Sequence, residues 1–171
     1  GLTIAISGAD GSGKTTMLKE VNAIFGQFLT IERFHIGRPQ GKLIEFIWRI
    51  LGNKSENSSM PGCSDITTPS TRGRAINGAI LAFLRLHKAR TIVNRASIGG
   101  LMLIDRWPTN ELGKMDGPRI IIGEKSGWLE RLCKRFESWA YANMPHVDIC
   151  YFFEVPVEVA IERNSLRIKE N

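Results

Sequence analysis

Eight residues near the start constrain this chain more than any others. Gly8-Ala9-Asp10-Gly11-Ser12-Gly13-Lys14-Thr15 fits the spacing G-x-x-x-x-G-K-[ST]. What precedes and follows the motif gives it weight. Leu2 to Ser7 is an Ile-rich apolar run that reads as a buried strand. From Lys14 the apolar residues shift to helical spacing, through Met17, Leu18, Val21, Ile24 and Phe25, and Gly26 supplies a stop. Glycines at such a turn let successive backbone N–H groups wrap a phosphate. The helix that follows aims its positive dipole end at the same anion. Lys14 is placed to bridge terminal phosphates, and the Thr15 hydroxyl to ligate Mg²⁺. A glycine-rich turn with a chance Lys-Thr accounts for the eight letters but not for the strand and helix around them. The nucleotide-binding candidates are therefore Gly8, Ala9, Asp10, Gly11, Ser12, Gly13, Lys14, Thr15 and Thr16.

The rest of the pattern continues what the motif begins. Further strands are predicted over Leu29 to Phe34, Leu101 to Asp105 and Asp148 to Val155. Helices are predicted over Lys42 to Leu51, Ile76 to Ala96, Trp128 to Asn143, and from Pro156 to about Arg167. Strands alternating with helices imply right-handed crossovers and a parallel sheet. The strands read as apolar throughout, as in sheets covered on both faces. Residues 53–73, rich in Ser, Thr, Asn, Gly and Pro, read as a mobile loop or insertion. At 171 residues, 43% apolar and 23% charged, the chain has the size and mix of one globular domain. That excludes a disordered tail, a collagen-like repeat and a disulfide miniprotein. No apolar run approaches a membrane span, and the first residues do not resemble a signal peptide.

Charge and cysteine content narrow the setting. Lys and Arg number 23 against 17 acidic residues, a net +6, which fits nucleic acid, anionic lipid or phosphorylated small molecules. The aromatic residues fall mostly in core patterns, leaving no basic–aromatic stripe for stacking bases, so no nucleic-acid partner is expected. Trp48, Trp128 and Trp139 are predicted on helix core faces. The three cysteines show no metal-ligand spacing. Cys133 and Cys150 read as small core residues, and the setting as reducing and cytoplasmic.

Asp105-Arg106 closes the third strand. In an open parallel sheet, ligands sit beyond the carboxyl ends of the strands, so the ends of the first and third strands should share one crevice. An aspartate there can hold a metal through water and an arginine can hold a phosphate; a strand-ending Asp that merely caps the next segment is the plainer alternative.

At this point three blocks resemble the thymidylate kinases and their relatives among P-loop nucleoside monophosphate kinases, and in particular outlying bacterial thymidylate-kinase-like proteins. They are Ile6 to Thr16, Leu103-Ile104-Asp105-Arg106-Trp107, and Pro145 to Asp148 leading through an apolar strand into Val155 to Arg163. The resemblance implies a three-layer P-loop NTPase fold, a central parallel sheet flanked by helices, in a single kinase domain over 1–171. It implies that Arg85, on the long helix, clamps an acceptor phosphate, with Arg38 and Arg106 as further contacts and Trp107 lining the pocket. Lys14, Asp105, Arg106, Arg163 and Arg167 become the catalytic candidates, the last two as lid arginines, and Thr15 and Asp105 the metal candidates. ATP and Mg²⁺ are the implied cofactors, and a homodimer through the long helix the implied assembly. Two features depart from the family. Its base-stacking phenylalanine corresponds to Leu81, while Phe83 sits two residues before Arg85. Only Asn164 to Asn171 follow Arg163, so the sequence reads as lacking the remainder of the lid, the last strand and the closing helix.

The expected activity is thus phosphoryl transfer from ATP to a small phosphorylated acceptor, a nucleoside monophosphate of the thymidylate kind. Two alternatives stand beside it: a kinase acting on a hydroxyl, for which His35 is a conceivable base, and a nucleotide-binding module without turnover.

Overall fold

Residues 1–9, 11–37, 69–111, 116–156 and 158–159 are described by the computed structural model. Four short strands, β1 (Leu2–Gly8), β2 (Ile31–His35), β3 (Leu101–Asp105) and β4 (Ile149–Phe153), form one sheet in the order β2-β3-β1-β4. All three pairings are parallel. The helices are α1 (Lys14–Phe25), α2 (Arg72–Ala96) and α3 (Trp128–Ala142). A parallel sheet with helices between its strands is an α/β arrangement consistent with a P-loop NTPase fold.

The described residues fall into two compact units. The first, drawn from 1–36, 91–107 and 146 onward, contains the sheet, α1 and the last six residues of α2. Its core joins Ile6, Leu101 and Leu103 of the sheet to Leu18 of α1, with Ile4, Met17, Val21, Ile31 and Phe153 packed around them. Burial is deepest on β3, where Leu101 to Ile104 are all inaccessible to solvent. The two outer strands differ from the sequence expectation. β2 is partly exposed, and on β4 Ile149, Cys150, Tyr151 and Phe152 are all exposed. Among the described residues β4 pairs with β1 alone. Cys150 is accordingly a surface cysteine and not a core one.

The second unit, drawn from 37–90 and 108–145, is built on most of α2 and on α3. Ala82 and Leu86 pack against Ala140 and Tyr141, and Ala75 packs against Ile120 and Cys133. α2 begins at Arg72, inside the segment expected to be loop. The cause is Thr71: its hydroxyl accepts the Arg74 N–H at 3.4 Å and its carbonyl accepts the Ala75 N–H at 2.9 Å, the two bonds of an N-cap. The remaining residues 53–68 and the expected helices over 42–51 and beyond 159 lie outside the described residues.

α3 reverses an expectation about tryptophan. Trp128, Leu132, Phe136 and Trp139 form one exposed stripe, with Trp128 76% accessible. The buried face carries Glu130, Cys133, Glu137, Ala140 and Tyr141 instead. A carboxylate is tolerated there because donors meet it: Glu137 accepts the Arg119 N–H at 2.8 Å, the Ile120 N–H at 3.1 Å and Lys134 Nζ at 3.2 Å. Burial and these carboxylates together push the Cys133 thiol up. No helix among the described residues is long and apolar enough to cross a membrane.

A polar clasp ties β4 to β1. Asp148 Oδ2 accepts the Thr3 N–H at 2.7 Å and the Thr3 hydroxyl at 2.6 Å, while the Asp148 N–H donates to Thr3 Oγ1 at 2.9 Å. The bonds from Thr3 hold the Asp148 carboxyl below its ordinary value of 3.8. A depressed carboxyl stabilises the fold fully above its unfolded pKa and loses that contribution as pH falls through the folded one. Asp148→Asn should therefore lower the unfolding midpoint at neutral pH. Urea melts at a series of pH values should show the deficit shrinking below about pH 4.

Candidate functional site

The phosphate loop takes its shape from positions where side chains are not accommodated. Gly8, the last residue of β1, has φ 148°, and a Cβ there would lie 2.5 Å from the Phe153 carbonyl oxygen. Gly13 starts α1 in the left-handed region at φ 90°. No side chain caps α1, the arrangement by which a helix start presents its first amides to an anion. Lys14 is 6% exposed, and its Nζ donates to Gly8 O at 3.0 Å, Ala9 O at 2.5 Å and Ser12 Oγ at 3.4 Å. The ammonium is thus fixed at the loop by the loop's own oxygens, while Thr15 and Thr16 stand exposed beside it.

The ends of β2 and β3 supply the opposite wall. Ile6 is level with Asp105 across β1 and β3, and His35 is level with Asp105 across β2 and β3. Two backbone bonds carry that register past the strand ends: the Arg106 N–H donates to Ile6 O at 2.9 Å and the Ile36 N–H to Asp105 O at 3.1 Å. The Trp107 N–H donates to Ser7 Oγ at 3.2 Å. Arg106 has φ 65°, the one non-glycine residue with positive φ among the described residues. An L-residue in that region carries strain on the order of 1–2 kcal/mol, and such residues cluster at working sites.

One polar pocket results, lined by Gly11, Gly13, Lys14, Thr15, His35, Asp105 and Arg106. His35 Nδ1 lies 3.0 Å from Asp105 Oδ2. A carboxylate only accepts, so Nδ1 carries the hydrogen. Asp105 Oδ1 is buried and accepts no hydrogen bond. That orphaned acceptor, in the same pocket as Thr15, fits a hard cation held chiefly by phosphate oxygens and water. No group of three or more His, Cys, Asp or Glu forms an all-protein metal cage among the described residues.

Arg85 belongs to the second unit, 3% exposed. Its Nη2 pairs with Asp116 Oδ1 at 3.1 Å and its Nη1 donates to the Tyr141 hydroxyl at 2.7 Å, which donates onward to Gly117 O at 3.0 Å. Burial pushes the Tyr141 hydroxyl up, against a smaller opposing pull from Arg85, so it remains a donor at neutral pH. Phe83 is 53% exposed and stacks on His87 at 6.4 Å between ring centroids. Asp10, Arg38, Arg163 and Arg167 lie outside the described residues.

Two partnerships had no signal in the sequence. Asp116 and Tyr141 lie 31 and 56 residues from Arg85, and His35 lies 70 residues from Asp105. Only the strand order β2-β3, which a linear pattern does not disclose, puts His35 beside Asp105.

No known family profile matches the chain. Two curated proteins of Escherichia coli (strain K12) are similar to it. One, the uncharacterized ATP-binding protein YghS, is 26% identical over 154 residues, covering 83% of this chain and 65% of that protein. The other, the uncharacterized ATP-binding protein YghR, is 25% identical over 170 residues, covering 94% of this chain and 68% of that protein. The chain thus spans about two thirds of the length of these relatives.

The Arg85 network makes a stability prediction. Tyr141→Phe removes the hydroxyl that Arg85 Nη1 and Gly117 O share, leaving a buried donor and acceptor unmatched. Equilibrium denaturation should show a loss of about 1–3 kcal/mol.

Proposed function

We propose that this chain binds ATP with Mg²⁺ at the phosphate loop and transfers the terminal phosphoryl group to a small phosphorylated acceptor, a nucleoside monophosphate of the thymidylate kind. The observation that carries the reading is the pocket on which Lys14 and Thr15 of the loop meet Asp105 and Arg106 from the end of β3. Two relatives named as ATP-binding proteins support the nucleotide part. The acceptor rests on the resemblance of the three sequence blocks.

In this reaction an oxygen of the acceptor phosphate attacks the γ-phosphorus of ATP. The bond from that phosphorus to the β,γ-bridging oxygen breaks, leaving ADP and an acceptor diphosphate. Both reactants are anions, so neutralisation and alignment matter more than proton removal. The loop amides and Lys14 hold the β- and γ-phosphates. Arg106, on its constrained backbone, offers a cation at the facing wall. Thr15 and Asp105 would hold Mg²⁺, which would supply charge neutralisation at the phosphate oxygens. Arg85 and Arg38 would serve the acceptor phosphate, and Arg163 and Arg167 would close over the transferring group. The same site working as a homodimer in a cytoplasmic setting belongs to this proposal.

One observation favours a second reading, transfer to a hydroxyl. An imidazole oriented by a carboxylate, as His35 is by Asp105, is the arrangement of a general base.

The test is ADP formation from ATP and Mg²⁺ with panels of nucleoside monophosphates and of unphosphorylated nucleosides and sugars. Transfer is expected with the monophosphates, thymidylate foremost, and Lys14→Ala should lower the rate by about 10²-fold or more. Transfer to hydroxyl acceptors alone would favour the second reading. Nucleotide binding with no transfer to any acceptor would overturn both in favour of a binding module.

A further inference from the structure

We propose that His35 is a positioning residue for the metal, holding the Asp105 carboxylate in the orientation a Mg²⁺–nucleotide complex requires. The inference rests on the Mg²⁺–ATP reading above and adds to it a residue that the phosphate loop and the Asp-Arg pair do not contain.

Three observations carry it. First, the pairing is built into the sheet. His35 and Asp105 are register partners on β2 and β3, and the Ile36 N–H to Asp105 O bond locks the ladder at that level. Directly opposed residues on adjacent strands project to one face within reach of each other. Second, among the described residues the Asp105 side chain takes one hydrogen bond, the one from His35 Nδ1 at 3.0 Å. Asp105 Oδ1 is buried with no donor, so His35 supplies the hydrogen bond that fixes the carboxylate's orientation among the described residues. Third, His35 lies on the same pocket wall as Asp105, facing Lys14 and Thr15. A carboxylate that orients a metal's water shell works only when its own orientation is fixed, and the hydrogen-bond partner that fixes it typically contributes 10–100-fold to metal affinity. His35 is half exposed, so its replacement removes this tether without opening the core.

The experiment is a Mn²⁺ titration, followed by electron paramagnetic resonance, of protein saturated with a non-hydrolysable ATP analogue. Circular dichroism checks that each variant is folded. His35→Ala should raise the Mn²⁺ dissociation constant about 10–100-fold. Affinity for the analogue measured without metal should stay unchanged. His35→Asn, whose amide N–H reaches the same oxygen, should recover most of the loss. In turnover assays, the His35→Ala defect should be largely relieved by raising Mg²⁺.

A His35→Ala metal affinity within about twofold of the unchanged protein would overturn the proposal, as would failure of His35→Asn to recover more than His35→Ala. A turnover loss that persists at saturating Mg²⁺ with unaltered metal affinity would also overturn it, and would assign His35 to proton transfer. If the unchanged protein gives no nucleotide-dependent Mn²⁺ signal, the Mg²⁺–ATP reading itself fails. That failure appears before any variant is compared, so the two are distinguishable.

Discussion

The position of β1 is the constraint on which the rest of the structure depends. It lies between β3 and β4, paired in parallel with both, and its last residue is also the first of the phosphate loop. Because all the strands run the same way, their carboxyl ends lie together at one rim. Gly8 is level with Phe153, and Ile6 with Asp105. A one-residue slip between β1 and β3 would turn Asp105 to the other side of the sheet and take it from the site. The bonds that continue past the strand ends, from Arg106 to Ile6 and from Ile36 to Asp105, lie at the rim where such a slip would matter most.

Three buried charges are met by close polar partners. Lys14 is enclosed by oxygens of its own loop, Glu137 by two backbone amides and Lys134, and Arg85 by a carboxylate and a phenol. None of these groups could be buried bare, and each takes at least one partner from a segment lacking regular secondary structure. In the second unit this does structural work. Glu137 fastens residues 119–120 to α3, and Arg85 with Tyr141 fastens residues 116–117 to α2 and α3. Irregular backbone is held in place there by side chains where a strand ladder would otherwise do it.

Much of this was legible in the letters, for identifiable reasons. The phosphate loop could be read because its glycines and Lys-Thr have fixed spacing and stand between a strand pattern and a helix pattern. β3 could be read because Leu101 to Ile104 are buried on both faces, as their composition implies. α3 misled at its aromatic residues. Hydrophobicity placed Trp128 and Trp139 inward, but the inner face goes to residues with partners, Glu137 and Tyr141 among them. Periodicity finds a helix; it does not say which stripe faces in when both are partly apolar. The start of α2 was missed because Thr71, a cap, resembles the Ser- and Thr-rich run before it. The pairing of His35 with Asp105 was hidden because strand order is a property of the whole sheet, and no local spacing encodes it.

Arg106 bears on how such a sequence can drift. A glycine at φ 65° would sit without the backbone strain that an arginine carries there. Arg106 holds this conformation at the end of β3, next to the phosphate loop. At this position the backbone favours glycine, while the side chain there is a cation on the rim of the pocket, so conformational ease and charge at the rim pull toward different residues.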